Sequence, residues 1–328
     1  ENAAILNAAL LPFANNVVSA FKDAIASHGL TCPMYISQND GTLMNAAFVK
    51  QYPALTFASG PTNSLRGASK LTGFDNAIVV DIGGTTSDIG FLQDGFPRTS
   101  HVVIEVGGIR TNFRMPDIQA VGLGGGSIVC DKGETIGPVS VGHKLVEEGL
   151  VFGGSTLTAS DIAVAAGHAE FGDASAVSAL DPDVVQRARQ QMIDMVDSNI
   201  DKMKPNADPL PVILVGGGAI LIQEGLTTAS ELIRPENAGV ANAIGAAIAQ
   251  IGGEAEAMLS YRELTREKAI ELVTEDARQR AINAGADGQT LSVADIEETS
   301  VPYMDDGMFR VKVKVIGDIA SLTSEAAL

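Results

Sequence analysis

The stretch "AIVVDIGGTTSDIGFLQDG", residues 77–95, decides the fold because an apolar run ends in a carboxylate and a glycine turn. The apolar run, residues 76–81, predicts a buried strand, and the residues after the turn predict its antiparallel hairpin partner. Gly83 and Gly84 let the backbone approach a ligand closely, because neither has a Cβ. An ordinary hairpin would have the same pattern, so this stretch alone does not assign a function, and the other motifs of the chain are needed.

Length, composition and charge indicate an acidic α/β protein. The chain has 328 residues, of which 45% are hydrophobic and 35 are glycines. This length predicts roughly two domains. The net charge of −18 argues against nucleic-acid binding as a main role, since a phosphate backbone needs a basic surface. A small phosphate-bearing ligand is still compatible, because backbone N–H groups and a metal ion can hold it.

Cysteine usage and the first residues bear on the cellular compartment. Neither Cys32 nor Cys130 has a neighbour at zinc-site spacing, so we expect two reduced thiols in a cytoplasmic protein. No uncharged apolar run of about eighteen residues and no basic leader is present, so no membrane partner or signal peptide is expected. The chain begins at Glu1 rather than Met, which suggests processing or a fragment of a longer protein.

Other segments predict helices and strands. Residues 3–29 show helical spacing, and Pro12 is expected to break this helix or to start a second one. "ALTFASG", residues 54–60, predicts a short β-run. Residues 181–204 predict an amphipathic helix with Asp181 as N-cap and Pro182 as first residue. Residues 255–285 are charged and predict a helix, and two β-runs follow in a small C-terminal α/β appendage.

Hydroxyls and carboxylates surround the first glycine turn. Thr85, Thr86 and Ser87 offer hydroxyl and N–H groups to phosphate oxygens. Asp81 and Asp88 could hold Mg²⁺ through its waters, as this hard cation prefers oxygen ligands. The stretch is neither a Walker A loop nor a G-x-G-x-x-G fingerprint, since no Gly-Lys-Ser/Thr follows and no helix opens directly after it.

Two later stretches are also rich in small residues. "VILVGGGAI", residues 212–220, predicts a buried strand whose terminal glycines suit a flat surface against a nucleoside, although any strand-to-helix turn could look the same. "RPENAGVANAIGAAIA", residues 234–249, predicts a helix that packs very closely on a neighbour, an interpretation we favour over direct ligand contact.

Taken in this order, the three stretches resemble the nucleotide-binding signature of the actin, heat-shock chaperone and sugar-kinase ATPases. A closer resemblance, over about residues 5–250, is to the A-type subunit of the hydantoinase/oxoprolinase family. It is carried by "NDGTLM", "ASGPTNSLRGA", "VVDIGGTTSDIG", "VGLGGGSIV", "IGPVSVG" and "TLTASDIAVAAG". The resemblance implies an α/β, actin-like (ribonuclease H-like) ATPase fold. Residues 1–73 would be the remainder of a first lobe, 74–252 a second lobe and 253–328 the appendage.

The resemblance also implies roles for particular residues, with ATP and Mg²⁺ as cofactors. Asp81 and Asp88 would organise the metal ion and the attacking group. The expected phosphate, substrate or adenosine contacts are Gly83, Gly84, Thr85, Thr86, Gly124, Gly125, Gly126, Ser127, Gly216, Gly217 and Gly218. Asp161 matches a Thr-Asp motif of the family, but a helix N-cap is the interpretation that we favour for it.

The implied activity is ATP-dependent opening of a cyclic amide such as hydantoin or 5-oxoproline, by phosphorylation of the amide oxygen. The family's first phosphate loop, of the type "GIDxGGTxTD", is missing here, so we expect an incomplete ATPase that is inactive alone. Its partners would be the missing N-terminal lobe and a B-type hydantoinase subunit. Two alternatives are a small-molecule kinase of the same superfamily and a non-catalytic, chaperone-like or regulatory ATP-binding module.

We interpret the histidines and two arginines near the motifs as structural residues rather than ligands. His28, His101, His143 and His168 are the only histidines, and none has a second ligand at metal spacing. Arg110 and Arg114 could meet a phosphate or a substrate carboxylate, but surface arginines beside a strand are the favoured interpretation.

Overall fold

The structure is a computed structural model that describes residues 2–100, 104–106, 108–111, 115–301 and 308–320. Its helices are α1 Asn2–Ser27, α2 Ala46–Gln51, α3 Ser59–Thr72, α4 Leu145–Glu148, α5 Ala159–Ala165, α6 Pro182–Met203, α7 Ala241–Ala247 and α8 Arg266–Asn283. Its strands are β1 Tyr35–Ser37, β2 Leu43–Asn45, β3 Ala77–Ile82, β4 Ser87–Gln93, β5 Phe96–Pro97, β6 Ile104–Val106, β7 Ile109–Thr111, β8 Ile118–Val121, β9 Ser127–Cys130, β10 Thr135–Ser140, β11 Leu210–Val215, β12 Ala229–Ile233, β13 Ile251–Ser260, β14 Ser292–Ser300 and β15 Met308–Gly317.

The contacts divide the chain into two units. The first comprises Glu1–Phe57, Glu105–Phe113 and Ala249–Leu328, and the second Ala58–Ile104 and Arg114–Ile248. This division differs from the three predicted segments because the N-terminal β1 and β2 share one sheet with the C-terminal strands. The structure also groups α3 with the second unit.

The second unit is built on a sheet ordered β12-β11-β3-β4-β5, with β8 also paired to β4. β4 runs antiparallel to both β3 and β8, whereas β11 and β12 run parallel to β3. Apart from the two-residue edge strand β5, which also pairs antiparallel with β4, the sheet has three antiparallel strands beside two parallel strands. This is the arrangement of the predicted ribonuclease H-like, actin-like fold. β3 is buried on both faces, as its continuous apolar sequence predicts.

Both sheet faces of this unit are covered by the helices that the sequence predicts. α6 covers one face with its apolar stripe, and its N-terminus has Asp181 as N-cap and Pro182 in the first turn, as predicted. α3 and α7 cover the other face, and they pack so closely that their backbones are in contact. A Cβ on Gly245 would lie 1.8 Å from the Asn63 carbonyl oxygen, which confirms the expected close packing of the small-residue helix.

The first unit contains a sheet ordered β1-β2-β13-β15-β14, with α8 packed against β13 and β15. The two predicted C-terminal β-runs are confirmed as β14 and β15. The prediction of helix from residue 255 was wrong for residues 255–260, which belong to β13. Glu254, Ala255 and Glu256 alternate between exposed and buried positions, and strand pairing with β15 outweighs the helix preference of Ala and Glu.

Two local predictions at the N-terminus were wrong. Pro12 lies inside the single continuous helix α1, on an exposed side where water can solvate the carbonyl that loses its donor. "ALTFASG" is not a strand, because Pro53 starts a 3₁₀ turn over Pro53–Thr56 and α3 begins at Ser59.

α1 is mostly exposed, with only Ala14 and Val18 buried. By length and composition alone it is apolar enough to cross a membrane, with a mean hydropathy of 1.4 over 18 residues, so the prediction that the chain has no such run was wrong. The core helix of a soluble protein and an N-terminal signal sequence share this property. In the structure, the Asn7 side chain donates a 2.7 Å hydrogen bond to the Gln51 carbonyl oxygen and accepts one from the Ala54 N–H.

Candidate functional site

The two carboxylates of the quoted stretch lie side by side at the end of a hairpin. Asp81 and Asp88 are directly opposite each other in the β3–β4 ladder, so their side chains share one face of the sheet. Both are half-buried. The turn between them is closed by a 2.9 Å hydrogen bond from the Gly83 N–H to the Thr86 carbonyl oxygen. Gly84, Thr85 and Thr86 are exposed at its tip.

The electrostatics of this pair favour a bound cation. Burial, together with the negative charge of Asp81, raises the pKa of Asp88 to about 6. A divalent cation between the carboxylates would relieve this repulsion. The described residues contain no cluster of three or more His, Cys, Asp or Glu side chains that could hold a metal. Two carboxylates suit Mg²⁺, which is commonly bound by one or two carboxylates with waters and phosphate oxygens completing its shell.

The distant loop at Gly216–Gly218 reaches the same place. β11 lies parallel to β3 with Val215 paired to Asp81, so its terminal glycines follow beside the carboxylate. The Gly218 N–H donates a 2.7 Å hydrogen bond to the Ile82 carbonyl oxygen. A Cβ on Gly216 would lie 2.3 Å from Asp81 Oδ1, so a side chain there would displace the carboxylate. The two predicted loops therefore converge, although more than a hundred residues separate them.

The loop Gly124–Ser127 lies against the same turn, but it is buried. The N–H groups of Gly125 and Gly126 donate to the carbonyl oxygens of Gly83 and Gly84 at 3.0 and 2.7 Å. Ser127 Oγ accepts a 2.8 Å hydrogen bond from the Gly124 N–H. These groups are therefore occupied in supporting the turn. Their predicted contact with phosphate or substrate stays a prediction, and the geometry favours Gly84–Thr86 as the ligand-facing part.

The sequence predictions gave no role to a further wall of this turn, at Ser140–Gly142. The Val141 N–H donates a 2.9 Å hydrogen bond to the Gly126 carbonyl oxygen, and Ser140 Oγ lies 3.5 Å from the Gly84 carbonyl oxygen. A Cβ on Gly142 would lie 3.7 Å from Thr85 Oγ1. The only signal for this wall was the "IGPVSVG" stretch, which has no chemistry of its own until the fold brings it to Thr85.

The third predicted stretch acts through packing. Asn242 Nδ2 donates a 2.7 Å hydrogen bond to the Gly60 carbonyl oxygen and fixes α7 on α3. The Ala238 carbonyl oxygen, just before α7, accepts a 2.9 Å hydrogen bond from the Gly216 N–H. This stretch thus supports the Gly216–Gly218 loop through a backbone hydrogen bond, in agreement with the packing interpretation.

Asp161 has a structural role near the N-terminus of α5. The N-cap is Thr158 rather than Asp161, which occupies the third helical position of a capping box. Its buried carboxylate accepts hydrogen bonds from the N–H groups of Val151 and Thr158 at 2.8 and 2.7 Å. Asp161 therefore takes part in capping the helix, as predicted, but the N-cap residue is Thr158.

The structure describes four of the six basic candidates. His28 and His143 are exposed, and His168 is half-buried. Arg110 is an exposed arginine paired with Glu105 at 3.0 Å, as the favoured interpretation predicts. His101 and Arg114 lie outside the described residues.

The antiparallel hairpin with its carboxylate pair, flanked by a glycine loop on a parallel strand, defines a lobe of the actin-like (ribonuclease H-like) fold. The family model Hydantoinase/oxoprolinase matches residues 1–173, and the chain belongs to this family. Acetophenone carboxylase gamma subunit of Aromatoleum aromaticum is 29% identical over 173 residues, which are 50% of this chain and 23% of that protein. An uncharacterized protein of Methanocaldococcus jannaschii is 26% identical over 155 residues, 42% of this chain and 23% of that protein.

Two solved structures share the fold. ATP-dependent caprolactamase from Pseudomonas jessenii superimposes with a TM-score of 0.73 at 18% identity, covering 96% of this chain and 57% of that one. Acetone carboxylase, in its nucleotide-free structure, gives a TM-score of 0.66 at 17% identity, covering 92% of this chain and 55% of that one. The chain thus spans about half of these structures and 23% of each curated relative.

Proposed function

We propose that this chain is the nucleotide-binding part of an ATP-dependent enzyme that phosphorylates an oxygen atom of its organic substrate. The observation that carries the proposal is the convergence of the Asp81–Asp88 pair with the Gly216 loop at one sheet edge. Such a site needs few basic side chains, because backbone N–H groups and a metal ion compensate the charge of a triphosphate. This explains how an acidic chain can bind a polyanion.

Each part of the site has a separate task. The exposed tip Gly84–Thr86 presents N–H and hydroxyl groups to phosphate oxygens. Asp81 and Asp88 would hold Mg²⁺, which supplies positive charge to the phosphates when bound. Gly216, Gly217 and Gly218 provide a backbone surface without side chains for adenosine. Their proximity fixes the nucleotide's position, and positioning is the main contribution that a protein makes to phosphoryl transfer.

The proposed substrate is a cyclic amide of the hydantoin or 5-oxoproline kind. An unstrained ring amide resists water, and phosphorylation of its oxygen turns the ring carbon into a better electrophile. The family assignment supports this substrate class, as does the fold shared with an ATP-dependent caprolactamase. A second subunit of B type would complete ring opening, and the naming of one relative as a gamma subunit supports a multi-subunit assembly.

Carboxylation of a ketone is a second candidate. Two of the similar proteins are named as carboxylases, one for acetophenone and one for acetone. Both candidate reactions can begin by transfer of the γ-phosphoryl group to a substrate oxygen. The nucleotide site would therefore be the same, and the substrate would differ.

A coupled ADP-release assay on the full-length protein and its partner subunit tests the proposal. Hydantoin, 5-oxoproline and caprolactam are supplied singly with Mg-ATP, and acetone and acetophenone are supplied with bicarbonate. ADP release stimulated by a ring compound, with the ring-opened product, supports the cyclic amidase. Stimulation only by a ketone supports the carboxylase, and a stable phosphorylated product indicates a kinase. ATP binding without stimulation in any mixture contradicts an enzymatic role, and failure to bind ATP contradicts the nucleotide site.

A further inference from the structure

A cavity of about 370 Å³ lies in the second unit between α6 and the segment that follows the Gly216 loop. Its lining comprises Gln186, Arg189, Gln190, Ile193, Glu224 and Gly225. Ile193, which is buried, and Gly225, which is exposed, are the apolar members of this lining, and a Cβ on Gly225 would lie 3.1 Å from Ile193 Cδ1. The other lining residues are polar or charged, so the cavity, which is open to solvent, can hold a small molecule that has one apolar side and one charged end.

Arg189 is the cationic residue in the lining of this cavity, and its guanidinium donates no hydrogen bond within the part of the chain that the structure describes. Its side chain is 28% exposed, and its interaction among the described residues is a 3.9 Å ion pair with Glu224, whose side chain is 82% exposed. An ion pair this long and this solvated contributes little. Arg187 and Arg234 of the same unit donate hydrogen bonds of 3.1 and 2.6 Å to carbonyl oxygens, so unused donors are not a general feature of the unit's arginines.

A second polar group near the cavity also has no partner. Nδ1 of His168 is buried and has no hydrogen-bond partner among the described residues. Burial, and next the positive charge of Arg189, lower the pKa of this imidazole, while Glu224 acts in the opposite direction. Arg234 is a further positive charge within electrostatic range of His168. Arg189 and Arg234 thus both lie within electrostatic range of His168, as does the exposed carboxylate of Glu224, in a chain of net charge −18.

We propose that this cavity is a binding site for a small organic anion, whose carboxylate or phosphate group is held by the Arg189 guanidinium. The planar guanidinium fork matches two oxygens of either group and forms charge-assisted hydrogen bonds with them. Glu224 competes with the anion for Arg189 and weakens its binding. The lining of the cavity contains no residue of the Gly83–Thr86 turn or of the Gly216–Gly218 loop, so we treat the site as separate from the nucleotide loops.

Titration of the full chain with inorganic phosphate and with succinate, followed by calorimetry, tests this site. Arg189→Gln is compared with Arg187→Gln, a matched change two residues away on the same helix. We expect Arg189→Gln to weaken binding by at least about fivefold, because it removes the guanidinium that lines the cavity. Arg187→Gln should leave the affinity within about twofold, because Arg187 is not part of the lining. Phosphate bound at the Gly83–Thr86 turn would contribute equally to both variants, so their difference isolates the cavity.

Glu224→Gln provides a second test that misfolding cannot imitate. Removal of the competing carboxylate should strengthen binding of both anions by about two- to fivefold. Equal affinities for Arg189→Gln and Arg187→Gln, or an unchanged or weaker affinity for Glu224→Gln, would overturn the proposal. If Arg189→Gln weakens the binding of only one of the two anions, that anion carries the group that the site prefers, and the result supports the proposal. Adenosine is titrated separately into the same two arginine variants, and a loss of adenosine affinity in Arg189→Gln alone would assign the cavity to the nucleotide and contradict a separate site.

Discussion

The turn Gly83–Thr86 and the loop Gly124–Ser127 have similar compositions and different surroundings. Both combine consecutive glycines with hydroxyl residues. The first is exposed at its tip, whereas the second is buried and uses its N–H groups on the carbonyl oxygens of the first. Glycines therefore serve two purposes here. Those of the turn Gly83–Thr86 leave room for a ligand, and those of the loop Gly124–Ser127 allow the loop to pack closely against the turn.

The largest effect is expected from Asp81→Asn in the complete enzyme. Loss of one carboxylate of the pair should reduce Mg-ATP-dependent turnover by about 100-fold or more, since metal positioning is central to phosphoryl transfer. The melting temperature should stay close to that of the wild type. Steady-state ADP release measures the effect. Asp94→Asn, at the other end of β4 on an exposed turn with φ of 52°, is the matched control. Unchanged turnover in Asp81→Asn would exclude the metal role.

A pair of glycine variants tests the contrast between the turn and the loop directly. A Cβ on Gly124 would lie 2.5 Å from the Thr85 backbone nitrogen, whereas a Cβ on Gly84 would have no heavy atom within 4 Å. Gly124→Ala should cost about 2–3 kcal/mol through overpacking and lower the melting temperature by about 5–10 °C. Gly84→Ala should leave the melting temperature almost unchanged and weaken ATP binding several-fold.

Calorimetric unfolding and ATP titration of both variants check this prediction. If Gly84→Ala is the destabilised variant, or if Gly124→Ala affects ATP binding without affecting stability, the assignment of ligand-facing and supporting roles is reversed.

The smallest effect concerns the pH dependence of stability in the absence of divalent cations. Since the folded-state pKa of Asp88 is raised to about 6 from its ordinary value of 3.8, its stabilising contribution is present below about pH 4 and is lost as the pH rises through 6. In EDTA, the wild type should therefore lose about 1 kcal/mol relative to Asp88→Asn between pH 4 and 7, after allowance for solvent screening. Melting curves at both pH values measure the difference, and parallel curves for the two proteins would contradict it.

The sequence predicted what depends on local pattern. The apolar run into Asp81, the Asp181-Pro182 helix start and the glycine end of β11 all combine a residue preference with a matching neighbour. The same reasoning failed at residues 255–260, where Ala and Glu favour a helix but β15 supplies the hydrogen bonds of a strand. The burial of Gly124–Ser127 could not be predicted, because it depends on carbonyl groups about forty residues earlier in the chain.

The central claim is that the Gly83–Thr86 turn and the Gly216–Gly218 loop bind one nucleotide. Backbone amide resonances of the chain, followed during titration with Mg²⁺ and a non-hydrolysable ATP analogue, test it most directly. The claim predicts that the amides of Gly84, Thr85 and Gly217 shift together and fit a single dissociation constant. Shifts confined to one of the two loops, different constants for each, or no shift in either would contradict it.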